Sequence, residues 1–478
     1  MAGWVGSKNK LSYLSLMENR RVHLKKLMLG APLAVSSLGW LSNCKKEDLL
    51  DGANFNGKVL IIGAGASGVY AAELLLRKGV DVQILEASSR AGGRIQSADI
   101  PGIGKVELGA EFIHGSRSIF YDMALSQGAD SLMPDEGEDL YWLENQIRDE
   151  KYMRESPTLN GGGQTLFQIV DSLGSYPGGD QSLLQYLTDF PLEQPLFPIA
   201  NALIANDYGS DLASIGMFAL RDAEAGFSSG LENYRLKQSI WSLFEKKCPN
   251  ALSKILFNQE VVQVNYSSSG VSVETAGGAV YNADRVLITV PLTILRANRI
   301  AFEPALPAEK QNAINNIKMD GGSKYFMRFS GPFWPDDTAS IIGGQVIPEY
   351  WVIPEKDVNE APGLTAFVTG PLQEQLRVLP EIEQRNLILA ELAAMFPSEN
   401  VVSALTSFYV KDWSAEPFIG GAYSYPSLLS AGQREPLAAP VSDRVFFAGE
   451  ATNFNGHQGT VHGAMESGYR AVLEILKS

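Results

Sequence analysis

The sequence predicts an α/β fold with two domains, one of them discontinuous and closed by both ends of the chain. Three observations predict it. A strand–turn–helix–strand unit opens at Lys58, with Gly63-Ala64-Gly65-Ala66-Ser67-Gly68 at its turn. A unit of the same kind, from Arg444 to Leu476, ends the chain. Between them the Val-rich stretch 255–300 reads as three more strands, the last placed to rejoin the first sheet. The chain has 478 residues, 45% hydrophobic and 19% charged, which allows two or three domains and a large core.

Residues 1–44 read as an export signal. Arg20-Arg21 before Leu24-Lys25 resembles a twin-arginine signal, and the apolar run from Leu27 to Leu41 is short for a membrane span. Leu41-Ser42-Asn43-Cys44 resembles a lipobox, with Cys44 as the lipidation candidate. The twin-arginine route carries folded cargo, which suits a protein that folds around a ligand. This reading expects an exported protein, a periplasmic or membrane-anchored lipoprotein of a bacterium. The alternative is a cytoplasmic protein with an amphipathic N-terminal extension. Residues 45–56 read as a tether.

The apolar run Val59-Leu60-Ile61-Ile62 predicts a strand buried on both faces of a parallel sheet. In the GxGxxG that follows, Gly63 permits the tight turn and Gly65 lets a pyrophosphate approach the backbone. Gly68 lets the next helix, Ser67 to Lys78, pack close on the strand. That helix opens at Ala66 and Ser67 with unpaired N–H groups and a partial positive charge for a phosphate. A second strand, Asp81 to Leu85, runs into Glu86 and Ala87. An acid at that distance accepts from the hydroxyls of an unphosphorylated ribose, as in FAD or NAD. Gly92-Gly93-Arg94 read as a second pass of backbone near the cofactor, with Arg94 offered to the diphosphate.

Farther on, Gly109 and Gly115 imply close backbone approach or positive φ, and His114 reads equally as a site residue or a loop histidine. Residues 120–250 mix helical patterns with Gly/Pro breaks. Strands are expected at Ile255 to Tyr266, Gly270 to Thr275 and Val280 to Val290, and again from Gly321 to Phe329. Lys324 in the last of these sits among apolar neighbours, so it is paired, has a task, or snorkels to solvent. At the C-terminus a buried strand enters Gly449-Glu450, and after Gly459 a helix begins at Thr460 or Val461.

A net charge of −15 argues against a nucleic-acid partner. Two cysteines and four histidines give no disulfide framework and no metal-ligand spacing, so no metal is expected.

These residues together resemble the flavin amine oxidase family: monoamine oxidases, polyamine and spermine oxidases, and flavin-type histone demethylases. The marks are GAGASG with Glu86, GGR at 92–94, ELGAEFIHG at 107–115, TVPLTIL at 289–295, and Lys324 before a Phe-Trp pair. FAGEAT and GTVHGAMESG close the pattern near the C-terminus. The resemblance implies a discontinuous Rossmann-like FAD-binding domain from 57–135, 251–310 and 436–478. Residues 136–250 and 311–435 would form an α+β substrate-binding domain of mixed sheet and helices.

The resemblance also implies site residues. FAD would be held by Gly63, Gly65, Ala66, Ser67, Gly68, Glu86, Ala87, Gly92, Gly93 and Arg94, with Gly109, Ala110, Glu111, Phe112, Val261 and Trp413. Gly449, Glu450, Gly459, Thr460 and Val461 complete that set. Lys324 matches the lysine that reaches flavin N5 through a water. Tyr423 matches one wall of the aromatic cage, and Thr460 stands where the second wall is usually Tyr. Glu111, His114 and Tyr423 are substrate candidates, the first two for the ammonium end or for structure alone. Ala422 stands where monoamine oxidases carry a flavin-linking cysteine, so FAD is expected to be noncovalent. Gln238-Ser239 replace the usual Gly-Gly beside the flavin. Gly109-Ala110-Glu111 replace the Gly-Pro-Met run of amino-acid oxidases.

The expected activity is oxidation of a small amine to an imine, then an aldehyde, with oxygen reduced to hydrogen peroxide. The membrane would be a partner only through Cys44. The alternatives are a flavin desaturase acting on C–C bonds, an L-amino-acid oxidase-like enzyme, and a flavin-bound surface protein without turnover.

Overall fold

Alternate residues of one strand feed two different cores. In Lys58–Ile62, Val59 and Ile61 face one hydrophobic core while Leu60 and Ile62 face another. The computed structural model describes residues 55–478 apart from 127, 129–131, 191 and 355–359. Lys58–Ile62 is the centre of a five-stranded parallel sheet. Its order is Ile255–Leu256, Asp81–Leu85, Lys58–Ile62, Arg285–Ile288, Val445–Phe447.

On the first face the helices Ala66–Arg77 and Val461–Lys477 pack together through small residues: Gly468 approaches Ser67 and Ala71. The first and last units of the chain therefore share one sheet and one core, which also holds Ala72, Leu75, Val472 and Ile475. The second face is covered by a four-stranded sheet, with Val264 and Val273 packed beside Val286 and Ile288.

Two expected strands are each split. Residues 255–266 divide between the first sheet, at Ile255–Leu256, and the four-stranded one, at Val261–Ser267. The cause is a turn through Asn258, whose φ is 58°. Residues 280–290 break at Asp284, whose carboxylate accepts from the N–H of Lys58 at the start of the central strand.

A seven-stranded mixed sheet forms a second layer. Its order is Leu405–Asp412, Gly322–Phe329, Gly363–Thr369, Glu349–Val352, Thr338–Ile342, Glu138–Leu143, Gln146–Arg148. Alternation sorts Gly322–Phe329 by face. Tyr325, Met327 and Phe329 pack under the helix Glu381–Met395 with Ile388 and Leu392, and Phe326 turns to the core of the first sheet. Lys324 lies on the same side as Phe326.

Residues 233–250, grouped by sequence with the second domain, pack instead in the first core. Ser239 caps the helix Ile240–Lys247 by accepting from the Ser242 N–H. Ile240, Leu243 and Phe244 recur at helical spacing, and Phe244 meets Phe120 at 6.2 Å.

Candidate active site

The two layers enclose a cavity of about 440 Å³. Every candidate residue read from the sequence lines it except Gly68 and Cys44. Gly68 lies beneath the turn: a Cβ there would stand 2.2 Å from the Gly63 carbonyl oxygen, so its work is close packing. Cys44 lies outside the described residues.

At one end of the cavity the glycine turn is built from both passes of backbone. Gly63, at φ 108°, donates to the Leu85 carbonyl at 2.8 Å. Gly92 donates to the Ala64 carbonyl at 2.9 Å and pairs with Gly65 as an isolated bridge. A Cβ on Gly65 would meet nothing within 4 Å; the space it would fill is the cavity. No side chain caps the helix that starts there, so its first N–H groups open onto that space. Glu86 stands at the strand end, accepting from Ala64 N–H at 2.7 Å and from Ser88 N–H and Oγ at 2.9 and 2.8 Å. Thr289 was absent from the sequence reading of the site. Its hydroxyl bonds the Ile62 and Gly63 carbonyls and locks the turn from the neighbouring strand.

Arg94 points to Glu450, at 2.8 Å, and to the Ala422 carbonyl at 2.9 Å. Glu450 also accepts from Ser424 N–H, Ser424 Oγ and Gly459 N–H. Burial raises the pKa of this carboxyl, but Arg94, the Ser424 hydroxyl and Arg434 outweigh burial and hold it below the usual range. Gly109 lies so close to Arg94 and Trp413 that a Cβ would stand 1.9 Å from the Arg94 carbonyl oxygen. Trp413 Nε1 donates to the Leu108 carbonyl. A side-chain-free floor, an uncapped helix start and an acid at the strand end together fit the diphosphate and ribose of FAD.

Lys324 marks the other end. It is 5% exposed, and its Nζ donates to Glu107 O at 3.2 Å, Gly109 O at 2.8 Å and Glu111 Oε2 at 2.7 Å. The Trp351 ring lies 5.2 Å from it. Glu111 is shared with Arg235, whose Nε donates to Oε1 at 3.2 Å and whose Nη1 reaches Asp135 at 2.6 Å. Phe112 stacks under Arg235, and His114 Nδ1 is 2.8 Å from Asn233 Oδ1. Tyr423 Oη donates to the Asp207 carbonyl at 2.8 Å. Its ring fits because Gly209 and Gly459 carry no Cβ: one on either would stand about 3 Å away. Thr460 caps the last helix, accepting from Gly463 N–H at 2.9 Å and donating to His457 O at 2.7 Å.

Comparison with known proteins fits this geometry. Residues 168–476 match the model of the flavin containing amine oxidoreductases, and residues 61–124 match an NAD(P)-binding Rossmann-like domain. The chain belongs to the flavin-containing amine oxidoreductase family. It is an FAD-dependent amine oxidoreductase. It is 27% identical to polyamine oxidase 6 of Oryza sativa, over 86% of this chain and 89% of that one. It is 29% identical to lysine-specific histone demethylase 1 homolog 2 of Arabidopsis thaliana, over 88% of this chain and 58% of that longer protein. Putrescine oxidase bound to putrescine shares the fold, with a TM-score of 0.75 at 21% identity over 89% of this chain and all of that one. Cyclohexylamine oxidase from Brevibacterium oxydans does too, with a TM-score of 0.74 at 20% identity over 88% and 99%.

These relatives correct the expected location. The relatives by sequence are polyamine oxidases and histone demethylases of plants and mouse, not bacterial exported lipoproteins. Paired arginines before a short apolar run fix only a few positions, and such a pattern recurs by chance in N-terminal extensions.

The enzyme's second-layer sheet carries cavity residues that the sequence reading missed. Lys324 pairs with Phe367, and Phe367 with Glu349. Two residues along on the same face, Trp351 pairs with Ser340 and Ser340 with Asp139. Residues paired directly across strands share a face. The cavity wall therefore runs from Lys324 over Phe367 and Trp351 to Glu349 and Asp139. At ~4.8 Å per strand, Glu349 stands roughly 10 Å and Asp139 roughly 19 Å from Lys324. Asp135, Asp207 and Glu224 also line the cavity. The alignment of Glu349 and Asp139 leaves no mark in the sequence, because it lies in register rather than spacing.

Proposed function

We propose that the enzyme oxidises a di- or polyamine, with one nitrogen at the reacting centre and a second held on the acidic wall. The observation that carries this is the row from Lys324 to Glu349 and Asp139 on one sheet face. A second ammonium along that row meets carboxylate after carboxylate, whereas a monoamine reaches neither. The names of the relatives, polyamine oxidase and putrescine oxidase, support the same class.

When bound, FAD supplies the acceptor for the hydride on the carbon beside nitrogen and, once reduced, two electrons for oxygen. The chain's own residues do the rest. The helix start at Ala66, with Gly65, Gly93 and Glu86, holds the diphosphate and ribose. Tyr423 gives the reacting amine a flat wall. Lys324 brings a buried ammonium to the cavity, where it favours negative charge developing on oxygen. Asp139, Glu349, Asp207 and Glu224 attract the cationic chain. FAD is held without a covalent bond, since Ala422 offers no nucleophile.

Anaerobic mixing with monoamines, diamines and triamines of matched carbon length tests the substrate class. Flavin bleaching is expected to be fastest with a second ammonium. Equal bleaching by monoamines overturns the reading. Acid precipitation is expected to leave all the flavin in the supernatant.

A further inference from the structure

An ammonium has three N–H donors, and the structure gives Lys324 three acceptors. Two are the Glu107 and Gly109 carbonyls, which no side-chain change removes. The third is the carboxylate of Glu111, at 2.7 Å. Glu111 is held on its far side by Arg235, and Arg235 by Asp135. The four charges alternate in sign: Lys324, Glu111, Arg235, Asp135. Their side chains are between 6% and 19% exposed, so solvent screens them little. Among the described residues that line the cavity, Lys324 is the one lysine.

We propose that Glu111 is a positioning residue for Lys324 that restrains the oxygen half of the reaction. It takes the third N–H and cancels much of the ammonium's field where oxygen is reduced. This rests on the reading of Lys324 given above. In that half-reaction two electrons and two protons pass from the reduced flavin to oxygen, and hydrogen peroxide leaves. Negative charge builds on oxygen along the way, and a nearby cation with a spare N–H stabilises it. With Glu111 in place Lys324 has its charge balanced and its donors occupied. Glutamine at this position keeps the shape and removes the negative charge. Arg235 then keeps Asp135, and Lys324 keeps only the nearby Glu107 carboxyl and the two carbonyls.

The test uses the FAD-loaded full chain. The reduced enzyme is mixed with oxygen by stopped flow, and the midpoint potential of the flavin is titrated. Glu111→Gln is expected to speed reoxidation several-fold and to raise the potential, because added positive charge favours the reduced cofactor. Lys324→Met is expected to slow reoxidation, and in the double variant the gain from Glu111→Gln disappears. If Lys324→Met slows reoxidation but Glu111→Gln changes neither rate nor potential, the restraint is wrong while the role of Lys324 stands. If Lys324→Met has no effect, both fall. Should Glu111→Gln not retain FAD, Glu111→Asp keeps the charge on a side chain too short to reach both cations. A smaller gain in the same direction supports the proposal, and an unchanged rate overturns it.

Discussion

Arg94 and Glu450 are 356 residues apart in sequence, yet Arg94 Nη1 and Glu450 Oε1 meet at 2.8 Å. The pair joins the first unit of the chain to the last. Glu450 also gathers Ser424 and Gly459, and Arg434 sits behind Ser424, donating to its hydroxyl at 2.8 Å. Burial lowers the Arg434 pKa to about 10. One carboxylate thus balances two largely buried guanidiniums.

Glu450→Gln is expected to cost about 3 kcal/mol, the usual result of leaving a buried charge without its partner. Its pH signature has a definite sign. The folded pKa of Glu450 lies below the unfolded one, so its contribution is complete above about pH 4.3 and is lost as pH falls through the folded value. Urea unfolding from pH 3 to pH 7 checks this: the variant should lose stability at neutral pH and be less sensitive to acid. Equal neutral-pH stability would remove Glu450 from this role.

The second and third glycines of the turn separate fold from cofactor. A Cβ on Gly65 touches nothing, so Gly65→Val should leave the apoprotein within about 0.5 kcal/mol of wild type while FAD binding is lost. A Cβ on Gly68 stands 2.2 Å from the Gly63 oxygen and 2.9 Å from Thr289 Oγ1, so Gly68→Ala should destabilise by about 2 kcal/mol. Thermal melts of the apoproteins and FAD fluorescence titrations give both readouts. A destabilised Gly65→Val with FAD affinity intact would reverse the assignment.

The same contrast shows what sequence reading reached. Gly63 to Gly68, Glu86 and Gly92 to Arg94 were legible because a phosphate-binding turn constrains residue types at fixed local spacing. Gly459 was legible as a glycine but not its reasons, which are a φ of 75° and the Tyr423 ring that a Cβ would meet at 3.1 Å. Thr289 was legible as part of the TVPLTIL run but not for its role, because a hydroxyl that bonds the next strand shows only once the strands are side by side. Residues 233–250 were misplaced because helical spacing of Ile240, Leu243 and Phe244 shows that a face is buried, not against which sheet. Glu349 and Asp139 escaped for a related reason: alternation gives the side of a strand, and only register says which strands lie abreast.

Glu107 makes the opposite pH prediction from Glu450. Its carboxylate accepts from the Ile240 N–H at 2.9 Å and from Ser97 Oγ at 2.7 Å. Burial outweighs those bonds and raises its pKa. The folded state therefore holds the proton more tightly than the unfolded chain, and stability is lost as pH rises from about 4.3 through the folded value. Glutamine can accept from Ile240 and donate to Ser97. Glu107→Gln should flatten this slope and add roughly 1 kcal/mol at pH 7. Urea unfolding between pH 4.5 and pH 8 decides it, and an unchanged slope would assign the dependence to another group.

The acidic wall makes a graded prediction about substrate length. Glu349 and Asp139 share a sheet face with Lys324, two and four strands away. An ammonium against a buried carboxylate contributes about 1.5–3 kcal/mol, so losing one such contact should raise KM roughly tenfold or more. Glu349→Gln should impose that loss on diamines and on longer amines, because their second nitrogen falls nearest to it. Asp139→Asn should spare diamines and weaken only amines long enough to span roughly 19 Å of wall. Neither change should affect a monoamine, whose single nitrogen stays beside Tyr423. Steady-state KM values for a monoamine, a diamine and a tetraamine on both variants make the test. If the monoamine loses as much as the tetraamine, the carboxylates act through the general field or the fold, and the row does not measure its substrate.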